Sequence, residues 1–282
     1  MKSGVFVIKK RNIAGCIRDV LVLTLTVLYL IPLYIAVVNS FKPYSEIIKA
    51  PLGFPQSPTM DNFVEAFRSS DILSLYKTSI LITVSSVALL ILLSSAAAYV
   101  VARRDGRFFK FLYVFALVGI MVPPVVTLVP SIKTLSALHL LYTPQGLLLF
   151  YAGTYFSTTI FLYVGFIKSL PVSLDESAYI DGANTITIFI RIIFPLVRPC
   201  TATAIIFLGM WIWNDFLNPM YILGSRAGRT ITTGIYNAIG AYTSQWNLVF
   251  ANVILASSPI VLLYLFMQKQ FMKGLTAGAV KG

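Results

Sequence analysis

Residues 171–199 read Pro-Val-Ser-Leu-Asp-Glu-Ser-Ala-Tyr-Ile-Asp-Gly-Ala-Asn-Thr-Ile-Thr-Ile-Phe-Ile-Arg-Ile-Ile-Phe-Pro-Leu-Val-Arg-Pro, a polar, helix-forming stretch set between two apolar runs. Ser173 and Glu176, three residues apart, make a capping box. The hydroxyl is expected to accept the N–H of Glu176 while the carboxylate returns to the N–H of Ser173. Asp175 and Glu176 place negative charge in the first turn, where the helix dipole favours it. Gly182 suits the left-handed position that closes a short helix. Asn184 can cap a second helix in which Ile186, Phe189, Ile190 and Ile193 recur at i, i+3, i+4 and i+7 as one apolar stripe, with Pro195 ending it. The segment therefore reads as two short helices joined at Gly182, the first offering the small residues Ser177 and Ala178 to a close partner. A helix pair resting on lipid headgroups is the other reading, and an Asp175/Glu176/Asp181 face matches an anionic leaflet poorly.

The surrounding chain is that of an integral membrane protein. Of 282 residues, 57% are hydrophobic and 11% charged, and mean hydropathy is +0.83, against about a quarter charged in soluble domains. The net charge of +12 does not imply nucleic acid, because the basic residues stand at the ends of apolar spans, as orientation in a bilayer requires. Cys16 and Cys200 are expected as free thiols and provide no metal set; His139 reads as an ordinary surface residue. The first apolar span is too long for a removable signal peptide and lacks its cleavage pattern.

A crossing helix needs about 20 apolar residues, and six segments qualify: 20–38, 78–102, 111–132, 145–166, 201–223 and 248–267. An even number puts both termini on one side. With the termini inside, the inner segments carry 15 of the 22 Lys and Arg residues. The cluster Arg103, Arg104, Arg107 and Lys110 is the strongest signal, since short loops obey the positive-inside rule best. The expected fold class is thus an all-α membrane protein of six transmembrane helices with both termini cytoplasmic. Its parts are an N-terminal segment 1–19, one six-helix transmembrane domain 20–267 with an outer loop 39–77 and a cytoplasmic loop 168–200, and a tail 268–282. In the outer loop Pro51, Pro55 and Pro58 with Gly53 favour an extended path. A short surface helix can follow within 59–74, with Phe63, Ala66 and Phe67 on one side.

The combination Glu176-Ser177-Ala178, Gly182 four residues later, then Ile192 and Pro195 resembles the EAA loop of permease subunits in ATP-binding-cassette importers. That pattern runs Glu-Ala-Ala, three residues, Gly, nine residues, Ile-x-Leu-Pro. Ser177 and Phe194 depart from it mildly. Trp213-Asn214-Asp215-Phe216 and the tail from Gly274 to Gly282 resemble the carbohydrate branch, the maltose-type second permease subunit. The resemblance covers nearly the whole chain. It implies a type I importer in a prokaryotic inner membrane, in which this chain pairs with a sister permease and is driven by an ATPase dimer that holds ATP and Mg. An extracytoplasmic binding protein would deliver a sugar to it. It also implies that Glu176, Ser177, Ala178, Asp181, Gly182, Ile192 and Pro195 engage the ATPase, and that Gly274, Leu275, Thr276 and Gly278 contact it from the tail. The chain has no Walker A pattern, so hydrolysis is expected on another chain.

Polar residues within the spans are the candidates for a substrate path. Trp211, Asn214, Asp215 and Asn218 stand at i, i+3, i+4 and i+7, and an acid at membrane depth should face the bundle interior or a water-filled path. Trp and Asn suit sugars, the ring covering C–H faces and the amide pairing hydroxyls. Two readings of Asp215 are open: contact with substrate, or a buried bond that anchors its helix end. Tyr151, Thr154, Tyr155 and Thr158 form a second, weaker stripe that can touch substrate or bond to neighbouring helices. Pro123, Pro124 and Pro130 must bend or interrupt the third span, and a broken helix is tolerated where it lines a cavity. A self-contained secondary transporter or channel would show charged relay residues in several spans, or a repeat relating two halves. Neither is visible.

Overall fold

The computed structural model describes residues 13–241 and 245–279, and among the described residues all regular structure is helical. The helices are α1 Ile13–Ser40, α2 Tyr44–Lys49, α3 Asp61–Ser69, α4 Ile72–Arg103, α5 Arg107–Met121, α6 Pro124–Ala137 and α7 Pro144–Ser169. There follow α8 Ser173–Ile180, α9 Thr185–Leu196, α10 Arg198–Asn214, α11 Leu217–Ile222, α12 Ile231–Ala241 and α13 Trp246–Ala279. Four segments are long and apolar enough to cross a membrane: Ile17–Ser40, Ile72–Arg103, Pro144–Ser169 and Trp246–Gln268. Two bent pairs, α5 with α6 at 106° and α9 with α10 at 73°, raise the count to six if each pair is one crossing.

Proline chemistry explains the bend between α5 and α6 and a further break beyond α10. Val122 and Pro123 are extended between α5 and α6, because a residue before proline is pushed out of the helical region. The expected helix over 201–223 stops at Asn214, with Asp215 extended at φ −68°, ψ 128°. Pro219 is the cause: its ring would collide with the carbonyl four residues back, which belongs to Asp215. A new helix, α11, starts beyond the break.

The chain forms two compact units, Met1–Ala66 with Tyr242–Ile254, and Phe67–Ala241 with Leu255–Gly282. In the first, the outer segment wraps around buried polar side chains. Lys42 is fully buried, its Nζ donating to the Ala50 carbonyl at 2.8 Å. Asn62 Nδ2 donates to the carbonyls of Ser40 and Lys42, both at 2.8 Å, while its Oδ1 accepts from Asn247 Nδ2 at 2.8 Å. Residues 50–60 are free of helix, as the prolines require, and α3 buries Ala66, while Phe67 is exposed. The crossing segment of α1 keeps its apolar surface uncovered, a state that lipid accepts and water does not.

The second unit is organised around α4 and α7. Small or hydroxylic residues are buried along both helices, Ser86, Ser94 and Ala98 on α4 and Ser157 and Thr159 on α7. Such residues let helix backbones approach closely where lipid offers no hydrophobic drive. Gly119 of α5 packs so near α7 that a Cβ there would lie 2.2 Å from Ser157 Oγ. Tyr163 Oη donates to Thr201 Oγ1 at 2.9 Å, tying α7 to α10, and Trp213 Nε1 donates to the Ala256 carbonyl at 3.0 Å. At the opposite end of α4, Ser79 Oγ accepts the N–H of Ile231 at 2.7 Å. Cys200 is a buried free thiol.

Candidate functional site: a capped helical loop and a polar cluster

The 171–199 loop forms the two expected helices, with local differences. Gly182 adopts φ +83°. The Ala183 N–H reaches the Ala178 carbonyl at 2.9 Å and the Gly182 N–H reaches Tyr179 at 3.0 Å, the paired bonds of a Schellman ending. Asn184 Oδ1 accepts the N–H of Thr187 at 2.8 Å, opening α9. The Tyr179 and Thr185 hydroxyls meet at 2.8 Å across the turn. The capping box does not form. Pro171 and Val172 already supply the carbonyls for the N–H groups of Leu174, Asp175 and Glu176, so Ser173 lies inside the helix rather than at its cap.

α9 differs more. Residues Phe189–Ile193 form a π turn, with the Phe194 N–H bonded to the Phe189 carbonyl, and the helix continues through Pro195 to Leu196 instead of ending there. Pro195 has no N–H for the carbonyl four residues back and crowds it; one widened turn relieves both problems. The extra residue also changes the apolar register. Ile188 and Ile193, five apart, are fully buried, while Ile186 and Ile190 of the expected stripe are 69% and 57% exposed.

α8 has two faces of different character. Outward point Glu176, Ser177, Tyr179, Ile180 at 87% exposure, and Asp181. Ala178, expected on that face, is buried, and Ile192 and Pro195 are half-buried. Inward points Asp175. Its Oδ1 accepts from Tyr99 Oη at 2.7 Å, and its Oδ2 lies 3.0 Å from Arg103 Nε. Arg103 Nη1 donates to the Leu170 carbonyl at 3.2 Å. The two charged side chains are only 10% and 7% exposed. The sequence reading placed Asp175 with Glu176 and Asp181 on one acidic face, but Asp175 is buried while the other two are exposed; a buried acid needs a partner, and the spacing of α4 hid which one.

The polar residues of α7, α10 and α11 form a second cluster. Asp215 Oδ2 accepts from Tyr151 Oη at 2.9 Å and from Asn218 Nδ2 at 2.7 Å. Its Oδ1 accepts the Asn218 N–H at 3.3 Å, and its carbonyl accepts from Thr232 Oγ1 at 2.7 Å. Tyr151 is fully buried. Its ring stacks on Tyr155, which stacks in turn on Trp211, with centroids 6.0 and 5.4 Å apart. Trp211 is 41% exposed, and Asn214 bonds only back to the Met210 carbonyl. The two stripes of the sequence thus meet, but Asp215 and Tyr151 are taken up by each other. Thr154 instead lines a cavity of about 560 Å³ between α5, α6 and α7, with Gly119, Thr127, Ser131 and Thr134 also on its wall. Thr158 is half-buried one turn along α7. Gly274, Leu275, Thr276 and Gly278 continue the backbone of α13, and their side chains lie outside the described residues, as do residues 280–282.

Apolar crossing helices, a stiff helical elbow at one end of the second unit and a polar cluster towards the other define a multi-pass transport permease. The chain belongs to the family of binding-protein-dependent transport system inner membrane components, which residues 90–276 match. It is 33% identical over 273 residues, 97% of this chain and 99% of the relative, to the probable starch degradation products transport system permease protein AmyC of Thermoanaerobacterium thermosulfurigenes. It is 37% identical to the multiple sugar-binding transport system permease protein MsmG of Streptococcus mutans, over 90% of this chain and 93% of that one. To the melibiose/raffinose/stachyose import permease protein MelC of Bacillus subtilis it is 33% identical, over 90% and 92%. The fold is that of a chain in the crystal structure of a bacterial ABC transporter importing the acidic polysaccharide alginate, with a TM-score of 0.81 at 20% identity over 92% of this chain and 96% of the other.

Proposed function

We propose that this chain is one of two permease subunits in an ATP-driven importer of sugars or oligosaccharides. It would cross the membrane six times with both termini cytoplasmic. A binding protein outside delivers the solute, and an ATPase dimer inside, holding ATP and Mg, engages the outward face of α8 and α9. The observation that carries the reading is the construction of that loop. Schellman closure at Gly182 and the Asn184 cap stiffen it, while Glu176, Ile180, Ile186 and Ile190 remain exposed. An acidic and apolar face on a rigid loop suits a protein partner, and a rigid loop passes on displacement that a floppy one would absorb. Family membership and the sugar permeases among the relatives support both the transport role and the solute class. The route for solute runs beside the Trp211–Tyr155 stack and the hydroxyl-lined cavity at Thr154. The tail residues Gly274, Leu275, Thr276 and Gly278 would form a further ATPase contact.

The test is reconstitution. In proteoliposomes holding both permease subunits, the ATPase and the binding protein, labelled raffinose or maltotriose should accumulate only with ATP. Glu176→Lys should release the ATPase from the purified complex and abolish uptake. Accumulation by this chain alone would instead identify a self-contained carrier.

A further inference from the structure

Three helix ends converge on one carboxylate. Tyr99 and Arg103 lie in the last two turns of α4, Leu170 directly follows α7, and Asp175 sits in the first turn of α8. Each charge also occupies the helix end that its sign favours, Arg103 at a C-terminus and Asp175 at an N-terminus. Both side chains are about nine-tenths buried, so separating them would leave two buried charges without a counter-charge, a strongly disfavoured state. Arg103 places Nε 3.0 Å from Asp175 Oδ2 and donates from Nη1 to the Leu170 carbonyl, two contacts that a lysine, with one compact ammonium, cannot reproduce in the same geometry. α8 is therefore unable to shift along or away from the unit without carrying the ends of α4 and α7 with it.

We propose that Asp175, Arg103 and Tyr99 are the positioning residues that convert displacement of α8 into movement of the substrate-bearing helices. This deepens the reading above and rests on it: the outward face of α8 receives the push, and the inward face distributes it. The far ends of the same helices show where the motion arrives. α7 runs 19 residues from Leu170 to Tyr151, about 28 Å of helix, and there meets Asp215. α4 reaches Ser79 and its bond to Ile231. Both helices thus join the loop to the part of the unit holding the polar cluster. Glu176, beside Asp175 in sequence but exposed, has no such bond to transmit.

The complete importer in proteoliposomes tests this by the ratio of ATP hydrolysed to raffinose or maltotriose imported. Asp175→Asn should leave the ATPase bound and its hydrolysis rate within about twofold, while the ratio rises at least fivefold. Arg103→Lys should act in the same direction, Tyr99→Phe should raise the ratio about twofold, and Asp175→Glu should restore most of the coupling. A role confined to holding the fold would lower the yield of complex without changing the ratio in what assembles. An unchanged ratio in assembled Asp175→Asn overturns the proposal. Should that variant fail to assemble, Tyr99→Phe decides, and an unchanged ratio there overturns it equally. If wild-type complex imports neither sugar, the importer reading fails first and the proposal falls with it; a normal wild type with fully coupled variants removes the proposal alone.

Discussion

Of the two roles open to Asp215, the structure displays the contacts of one: the residue holds a break in the chain together. The carboxylate accepts three bonds from Tyr151 and Asn218, and the residue's carbonyl accepts a fourth from Thr232. Leaving such groups unsatisfied costs about 1–3 kcal/mol each. Asp215→Ala should therefore lower the thermal unfolding midpoint of the detergent-purified protein substantially, and Tyr151→Phe by a smaller amount. Asn214→Ala, whose amide only bonds back along its own helix, should stay within about 0.5 kcal/mol of wild type. Equal losses at Asn214 and Asp215 would mean that the residues act as one stripe after all. The sequence announced that an acid at this depth needs a partner. It could not announce Tyr151, 64 residues away, because helical spacing constrains only neighbours on the same helix. Asp175 was hidden by the same fact, its partner Tyr99 being 76 residues distant.

At the scale of elements, the caps written in local sequence were legible and the register was not. Gly182 and Asn184 act within three or four residues of themselves, and both fall where their chemistry places them. Pro195 was legible as a disturbance, but not its resolution by a π turn, which goes with the burial of both Ile188 and Ile193 in the apolar core. Two isoleucines separate the alternatives. Ile193→Ala should cost about 2–5 kcal/mol, the usual loss on emptying a buried site, whereas Ile190→Ala should be nearly neutral in unfolding measurements. A regular α-helical stripe would make the two equally damaging. The breaks at Pro123 and Pro219 follow the same lesson: the interruption was visible in the sequence at Pro123-Pro124, while at Pro219 the apolar run through 201–223 concealed it.

Across the whole molecule, hydropathy reported the crossing helices well, since burial in lipid depends on composition more than on partners. It did not report that the third apolar run is an angled pair or that the fifth stops at Asn214, because an apolar run reads the same straight, bent or broken. The proposed orientation rests on charge: Arg103, Arg104, Arg107 and Lys110 crowd the short connection between α4 and α5, and the positive-inside rule expects such a cluster on the cytoplasmic side. With Cys16 and Cys200 replaced, Asp105→Cys should resist a membrane-impermeant maleimide in intact cells and react once they are opened. Ser57→Cys, in the exposed segment between α2 and α3, should react without that treatment. The reverse pattern would invert the topology. The buried amine of Lys42 has a different use. Sealed from solvent and clasped by the Ala50 carbonyl, it is withheld from trypsin and from acylating reagents for as long as the segment around it keeps its shape, so a nick or an adduct there is a record of that segment having opened.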